Sequence, residues 1–147
     1  MIAYLDSSAL ARSYLPDELR APEVRELIDS PSITTITGSW TRIEASGAFV
    51  RAGRAGRGDV AKLEAAFGAD TAPAGGNVVV VDVNQAEIES IALSVARLYG
   101  IRAMDAWHLA CARLAFEALA ESGDELGFVT HDAQQAEVAR AWGYTVL

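Results

Sequence analysis

Short apolar runs alternate with helix-period stretches from one end of the chain to the other. Ile2–Leu5 and the runs at 33–36, 78–83, 127–130 and 144–147 have the β-branched or aromatic character of strands. Between them, 7–14, 22–28, 39–51, 59–67, 85–99, 105–120 and 133–142 read as helices. Local signals support these limits. Pro16 stops the first helix, and Pro22 sits in a first turn where a missing N–H costs nothing. Asn84 with Glu87 forms a capping pair, and Gly100 closes that helix. Residues 53–58 form a glycine-rich turn, and 72–76 a loop. In the helix over 39–51, Trp40, Ile43, Gly47 and Val50 share one apolar face, which is predicted to meet the body of the fold.

Strands spaced by helices predict an α/β fold in three layers, with a mainly parallel central sheet and helices on both faces. The 147 residues fit one such domain, spanning 1–147, with no internal repeat. Ligands of these sheets sit beyond the carboxyl ends of the strands. Chemistry is therefore sought where a strand gives way to a helix.

Composition narrows the class. A hydrophobic fraction of 51% belongs to a globular protein rather than a disordered one. Cys111 is the only cysteine, which excludes an intrachain disulfide. The opening residues lack a basic leader, and no apolar run is long enough to span a bilayer. A soluble, cytoplasmic protein is expected. The net charge of −8 argues against a broad basic surface for nucleic acid. Any nucleic acid must then be held locally, by a few arginines and a metal, or with a basic partner. The same charge also serves simple solubility.

Four acids stand out. Asp6 ends the first strand, Asp105 opens the long helix, and Asp132 follows the strand over 127–130. Each aspartate suits a helix N-cap, so capping alone explains any one of them. Glu44 is different, because capping does not explain an acid inside a helix beside Trp40 and Ile43. If the four converge, two charges about 4 Å apart repel by ~4 kcal/mol at an effective dielectric of 20. Packed carboxylates must then take up protons or a cation. An all-oxygen set without cysteine suits Mg²⁺, with Mn²⁺ able to substitute, rather than Zn²⁺. Such an ion supports phosphodiester hydrolysis. Spacing cannot show that the acids converge.

The segments that carry them nonetheless form a pattern. Tyr-Leu-Asp-Ser-Ser-Ala-Leu at 4–10, Thr-Arg-Ile-Glu-Ala-Ser at 41–46 and Met-Asp-Ala-Trp-His-Leu-Ala-Cys-Ala at 104–112 occur in order. Phe-Val-Thr-His-Asp at 128–132 follows, then Ala-Arg-Ala-Trp-Gly-Tyr-Thr-Val at 139–146. Together they resemble the PIN-domain family, above all the VapC toxin ribonucleases of VapBC toxin–antitoxin pairs. The resemblance implies a metal-dependent endoribonuclease whose acidic pocket is Asp6, Glu44, Asp105 and Asp132. It implies Asp6 and Asp105 as the metal ligands, with Asp132 the variable fourth acid. It also implies an RNA substrate, a homodimer and a cognate VapB-like antitoxin that blocks the groove.

Lesser signals remain open. Ser7 and Thr130 adjoin pocket acids and can brace them, or simply serve a helix start and a strand end. His108 is expected to be a satisfied core histidine, and His131 a surface residue. Arg42, Arg51, Arg54, Arg57 and Lys62 form the one basic concentration, either a phosphate grip or a solvated helix end. Trp107 and Trp142 are expected in the core or an interface. Rival readings are an RNA-processing PIN nuclease without antitoxin and a non-catalytic RNA- or protein-binding domain. A third is a phospho-accepting receiver, which needs a lysine at its pocket; Lys62 sits in a surface helix instead.

Overall fold

A computed structural model describes all 147 residues. Five strands form one sheet in the order β3-β2-β1-β4-β5, and every neighbouring pair is parallel. The strands are β1 (Ile2–Leu5), β2 (Thr34–Gly38), β3 (Val78–Val81), β4 (Leu126–Val129) and β5 (Thr145–Val146). Seven helices connect them: α1 (Ser7–Arg12), α2 (Ala21–Asp29), α3 (Thr41–Arg54), α4 (Val60–Asp70), α5 (Gln85–Tyr99), α6 (Ala103–Leu119) and α7 (Ala133–Ala141). The sheet is thus wholly parallel, and the three-layer α/β expectation holds. No helix is long and apolar enough to cross a membrane.

The period of two along β1 sets the layers. Ile2 and Tyr4 point into one apolar cluster, which includes Ile88, Val95, Leu109, Phe116 and Phe128. Ala3 and Leu5 point into the other, with Leu10, Val24, Phe49, Phe67 and Val129. From β1 the chain winds outward through β2 to β3, with α1 to α4 on one face. It then returns to β4 on the far side of β1 and winds to β5, with α5 to α7 on the other face. Parallel crossovers are right-handed, so reversing the winding direction moves the helices to the opposite face. The reversal opens a crevice beyond the carboxyl ends of β1 and β4.

Central α6 is alanine-rich because it is buried along most of its length, from Ala106 through Ala112 and at Ala115 and Phe116. Small side chains let it lie close to the sheet. Trp107 fits only because β2 ends in glycine: a methyl group at Gly38 would stand 2.6 Å from the indole ring.

Two expectations are corrected here. The buried face of α3 is Thr41, Ala45, Phe49 and Ala52. Ile43 is 68% exposed, and Trp40 and Val50 are also exposed. The i, i+4 row through Phe49 fills the core, so the apolar stripe read from the sequence faces outward. The long helix also begins at Ala103, with Arg102 as N-cap, so Asp105 lies in its first turn rather than opening it. The helix over 39–51 continues to Arg54, shortening the glycine-rich turn.

Candidate functional site

A cleft of about 550 Å³ opens at the β1–β4 reversal. Asp6, Glu44, Asp105 and Asp132 all line it, together with Ser7, Ser8 and the arginines Arg12, Arg51 and Arg102. Four acids drawn from α3, α6 and the ends of β1 and β4 therefore meet in one place.

Asp6 forms the floor and is only 3% exposed. Its Oδ1 caps α1 by accepting the Ala9 N–H at 2.6 Å. The Ser8 hydroxyl donates to the same carboxylate at 3.0 Å. The brace read for Ser7 belongs to Ser8 at this acid, while Ser7 lines the same cleft. Thr130 does brace Asp6, with its Oγ1 2.8 Å from Oδ2. The same Oγ1 stands 2.6 Å from Gln135 Oε1 while accepting the Asp132 N–H at 3.0 Å. One hydroxyl hydrogen cannot serve two acceptors. The Gln135 amide is held in place because its Nε2 donates to the Asp105 carbonyl at 3.1 Å. A proton on Asp6 would complete the chain, Asp6 donating to Thr130 and Thr130 to Gln135. In keeping with this, burial pushes the Asp6 carboxyl above its ordinary value. It outweighs the Ala9 N–H, the His108 charge, Thr130 and Ser8, which all pull the other way. No cationic side chain bonds to Asp6.

Asp105 and Asp132 form the rim, where the charge is met differently. Asp132 caps α7, its Oδ1 accepting the Gln135 N–H at 2.9 Å. Gln135 returns no side-chain bond to Asp132; its side chain instead contacts Thr130 and the Asp105 carbonyl. The remaining Oδ2 of Asp132 accepts from Arg102 Nη2 at 2.9 Å, and Asp105 Oδ2 accepts from Arg102 Nε at 2.8 Å. One guanidinium thus bridges two carboxylates. Its pKa is raised by the hydrogen bond to Asp105, then by the charges of Asp105 and Asp132.

Glu44 connects the cleft to the core. Its Oε2 lies 2.7 Å from His108 Nε2, and His108 Nδ1 lies 2.9 Å from the Tyr4 hydroxyl. Burial alone would raise the Glu44 carboxyl. The His108 hydrogen bond and charge, with help from Ser7, bring it below its ordinary value. His108 is the satisfied core histidine expected, and one of its partners is a cleft acid. Cys111, also buried, is pushed up to about 11 by desolvation, against a Tyr4 hydrogen bond that lowers it. It is an unreactive packing residue.

The capping and pocket explanations are not rivals at Asp6 and Asp132. Capping takes one oxygen of each; the other meets Ser8 and Thr130 at Asp6 and Arg102 at Asp132. The basic side chains divide differently from the sequence grouping. Arg51 reaches the cleft, whereas Arg57 is tied to Asp17 and Glu18 at 2.6 Å each. Sequence reasoning missed Arg12 and Arg102. The signal for Arg102 was its place three residues before Asp105, one helical turn away. His131 is half-buried and lines a neighbouring groove that shares Arg12 and Asp132 with the cleft. Lys62 is exposed on α4 and does not line the cleft, which disfavours a receiver site.

No three His, Cys, Asp or Glu side chains stand close enough to cage a metal. Mg²⁺ does not need a cage, since it binds through one or two carboxylates and keeps several waters. The donors here are oxygens. A cationic group, the Arg102 guanidinium, already sits between Asp105 and Asp132. The residues fit a hard divalent ion.

No family model matches the chain, and no curated protein matches it in sequence. Among solved structures it is similar to a chain in the structure of VapBC-1 from nontypeable Haemophilus influenzae. The match has a TM-score of 0.60 and covers 100% of this chain and 97% of that one, at 16% identity. The likeness is one of fold, and the fold is the PIN-like one that the sequence segments implied.

Proposed function

We propose that the chain is a Mg²⁺- or Mn²⁺-dependent endoribonuclease and the toxin of a toxin–antitoxin pair, with a VapB-like antitoxin as partner. The observation that carries this reading is the meeting of Asp6, Glu44, Asp105 and Asp132 in one cleft at the sheet's switch point. The fold shared with a VapBC-1 chain supports it. Asp6 and Asp105 would hold the ion, with Asp132 and Glu44 completing the negative wall. An ion so held supplies charge to a phosphoryl oxygen and makes water more acidic. The protein's own part is positional. Ala9 N–H, Ser8 and Thr130 hold the Asp6 carboxylate in one orientation. His108, backed by Tyr4, holds Glu44 and keeps it ionised. Arg12 and Arg51 at the cleft wall can meet phosphates that an acidic chain would otherwise repel.

An antitoxin fits the same chemistry by offering an arginine or another basic group to the acids, as Arg102 does within the chain. A homodimer is part of the reading, and the exposed Trp40, Ile43 and Val50 offer apolar area for one contact.

Cleavage of structured RNAs, with Mg²⁺, Mn²⁺ or EDTA and with or without the product of the adjacent gene, tests the proposal. Metal-dependent cleavage that the neighbour's product suppresses is expected. Cleavage that persists in EDTA, or RNA binding without turnover in either metal, would sink it.

A further inference from the structure

We infer that Arg102 is a built-in competitor for the cation at this site: a divalent ion takes Asp105 only as the guanidinium leaves it. The inference rests on the proposed metal site and concerns how that site fills. Arg102 holds one oxygen of each rim acid, placing a positive charge where a hard ion would bind. Its Nε engages Asp105 Oδ2 and its Nη2 engages Asp132 Oδ2. The other Asp132 oxygen is committed to the Gln135 N–H, so Oδ2 is that residue's only oxygen free for the cleft. An ion at these atoms and a guanidinium on them exclude each other, by geometry and by like charge.

The arrangement is also reversible. Arg102 is the N-cap residue of α6 but makes no side-chain cap bond there, and the side chain is 76% exposed. Its two carboxylate contacts are the only side-chain bonds that place its head. Exposed pairs of this kind are weak and screened by salt, so an ion can displace the guanidinium without disturbing the fold. The two other arginines of the cleft do not share this position. Arg12 lies 3.9 Å from Glu18, and neither Arg12 nor Arg51 forms an ion pair with any of the four cleft acids. Arg102 alone stands in for the metal.

The test is calorimetric titration of Mn²⁺ into metal-stripped protein, comparing the parent with Arg102→Gln and with Arg97→Gln. The last removes the same charge from the exposed face of α5, away from the cleft. Competition predicts that Arg102→Gln lowers the Mn²⁺ Kd by about two- to tenfold. Arg97→Gln should stay close to the parent, and Arg102→Lys, which keeps the charge but loses the fork, should fall between. A second measurement follows the molecule directly. The Arg102 Nε–H resonance, identified by its absence in Arg102→Gln, should shift with Mg²⁺ along the same isotherm as binding. Unchanged or weaker Mn²⁺ binding in Arg102→Gln overturns the inference. If the parent binds Mn²⁺ and Asp105→Asn abolishes binding while Arg102→Gln matches the parent, the inference fails alone and the metal site stands. If the parent binds no metal, both fail together.

Discussion

Asp6 and Asp132 are both N-caps, both follow a parallel strand, and both face the same cleft, yet their charges are treated in opposite ways. Asp6 lies on a buried floor, hydrogen-bonded by Ala9, Ser8 and Thr130 without a cationic side chain bonded to it. Asp132 lies on an open rim and shares Arg102 with Asp105. Burial makes the floor acid costly to ionise, whereas the rim acids keep water and a counter-ion. The same residue type can therefore be strained at one end of a cleft and relaxed at the other. A cation entering the cleft has most to offer Asp6, and must compete for Asp105.

The largest effect that separates the two explanations of these aspartates is on catalysis. Asp6→Asn and Asp105→Asn should each lower RNA cleavage by more than ~100-fold, since an amide cannot balance a hard cation. Both variants should fold. Circular dichroism with a cleavage assay checks this, and parental cleavage by both variants would leave only the capping role.

Stability gives the next contrast. Asparagine caps a helix about as well as aspartate. At position 6 its Nδ2 could donate to Thr130 Oγ1, freeing the threonine hydrogen for Gln135. Asp6→Asn should therefore raise unfolding stability in EDTA by roughly 0.5–2 kcal/mol at neutral pH. The gain should depend on pH with a definite sign. An acid whose folded-state pKa is raised leaves the native state holding more protons than the unfolded one between the two pKa values. Its contribution to stability falls as pH rises through that window. The advantage of Asp6→Asn over the parent should then shrink as the pH is lowered toward the ordinary aspartate range. Glu44 has the opposite sign, its folded value being lowered, so its contribution is lost as pH falls. Urea melts across pH for Asp6→Asn and Glu44→Gln check both slopes, and slopes of the same sign would break the comparison.

Tyr4→Phe probes the link between core and cleft. It leaves His108 Nδ1 without its buried partner, which should cost about 1–3 kcal/mol, while the cleft acids keep their own contacts. Metal binding that survives the stability loss would confirm that Tyr4 acts through the core alone.

How far these features could be read from sequence follows from their range. The strands, the Asn84 and Gly100 boundaries and the alternation of layers rest on neighbours within one turn or one pleat, and the structure reproduces them. The face of α3 was misread because Trp40 and Ile43 are large and apolar, whereas Ala45 and Ala52 bury their small side chains beside Phe49. Hydrophobicity alone does not say which of two apolar rows meets the sheet. The four acids could be named individually, but their meeting depends on the reversal of winding at β1 and β4. The Arg102 bridge was not read because it joins α6 to the start of α7 through a tertiary contact. Ser8 rather than Ser7 at Asp6 is a matter of one residue's direction at a helix start.

The smallest expected effect is also the one that tests whether floor and rim differ in kind. Arg102→Gln removes the shared cation from Asp105 and Asp132, and Asp132→Asn removes one of its acceptors while keeping a competent cap for α7. Because the bridge is open to solvent, each change should move the melting temperature by no more than about 2 °C in low salt. At about 0.5 M salt the shift should shrink, since the screening length falls to roughly 4 Å and the guanidinium stands in solvent. The Asp6→Asn gain should survive the same salt, because a buried charge is screened far less. Paired thermal melts at low and high salt therefore sort the acids by environment, independently of any cleavage. A salt-sensitive Asp6→Asn gain would move Asp6 to the rim. A salt-resistant shift in Arg102→Gln would mean that the guanidinium is held as part of the fold, and would count against its ready displacement by an ion.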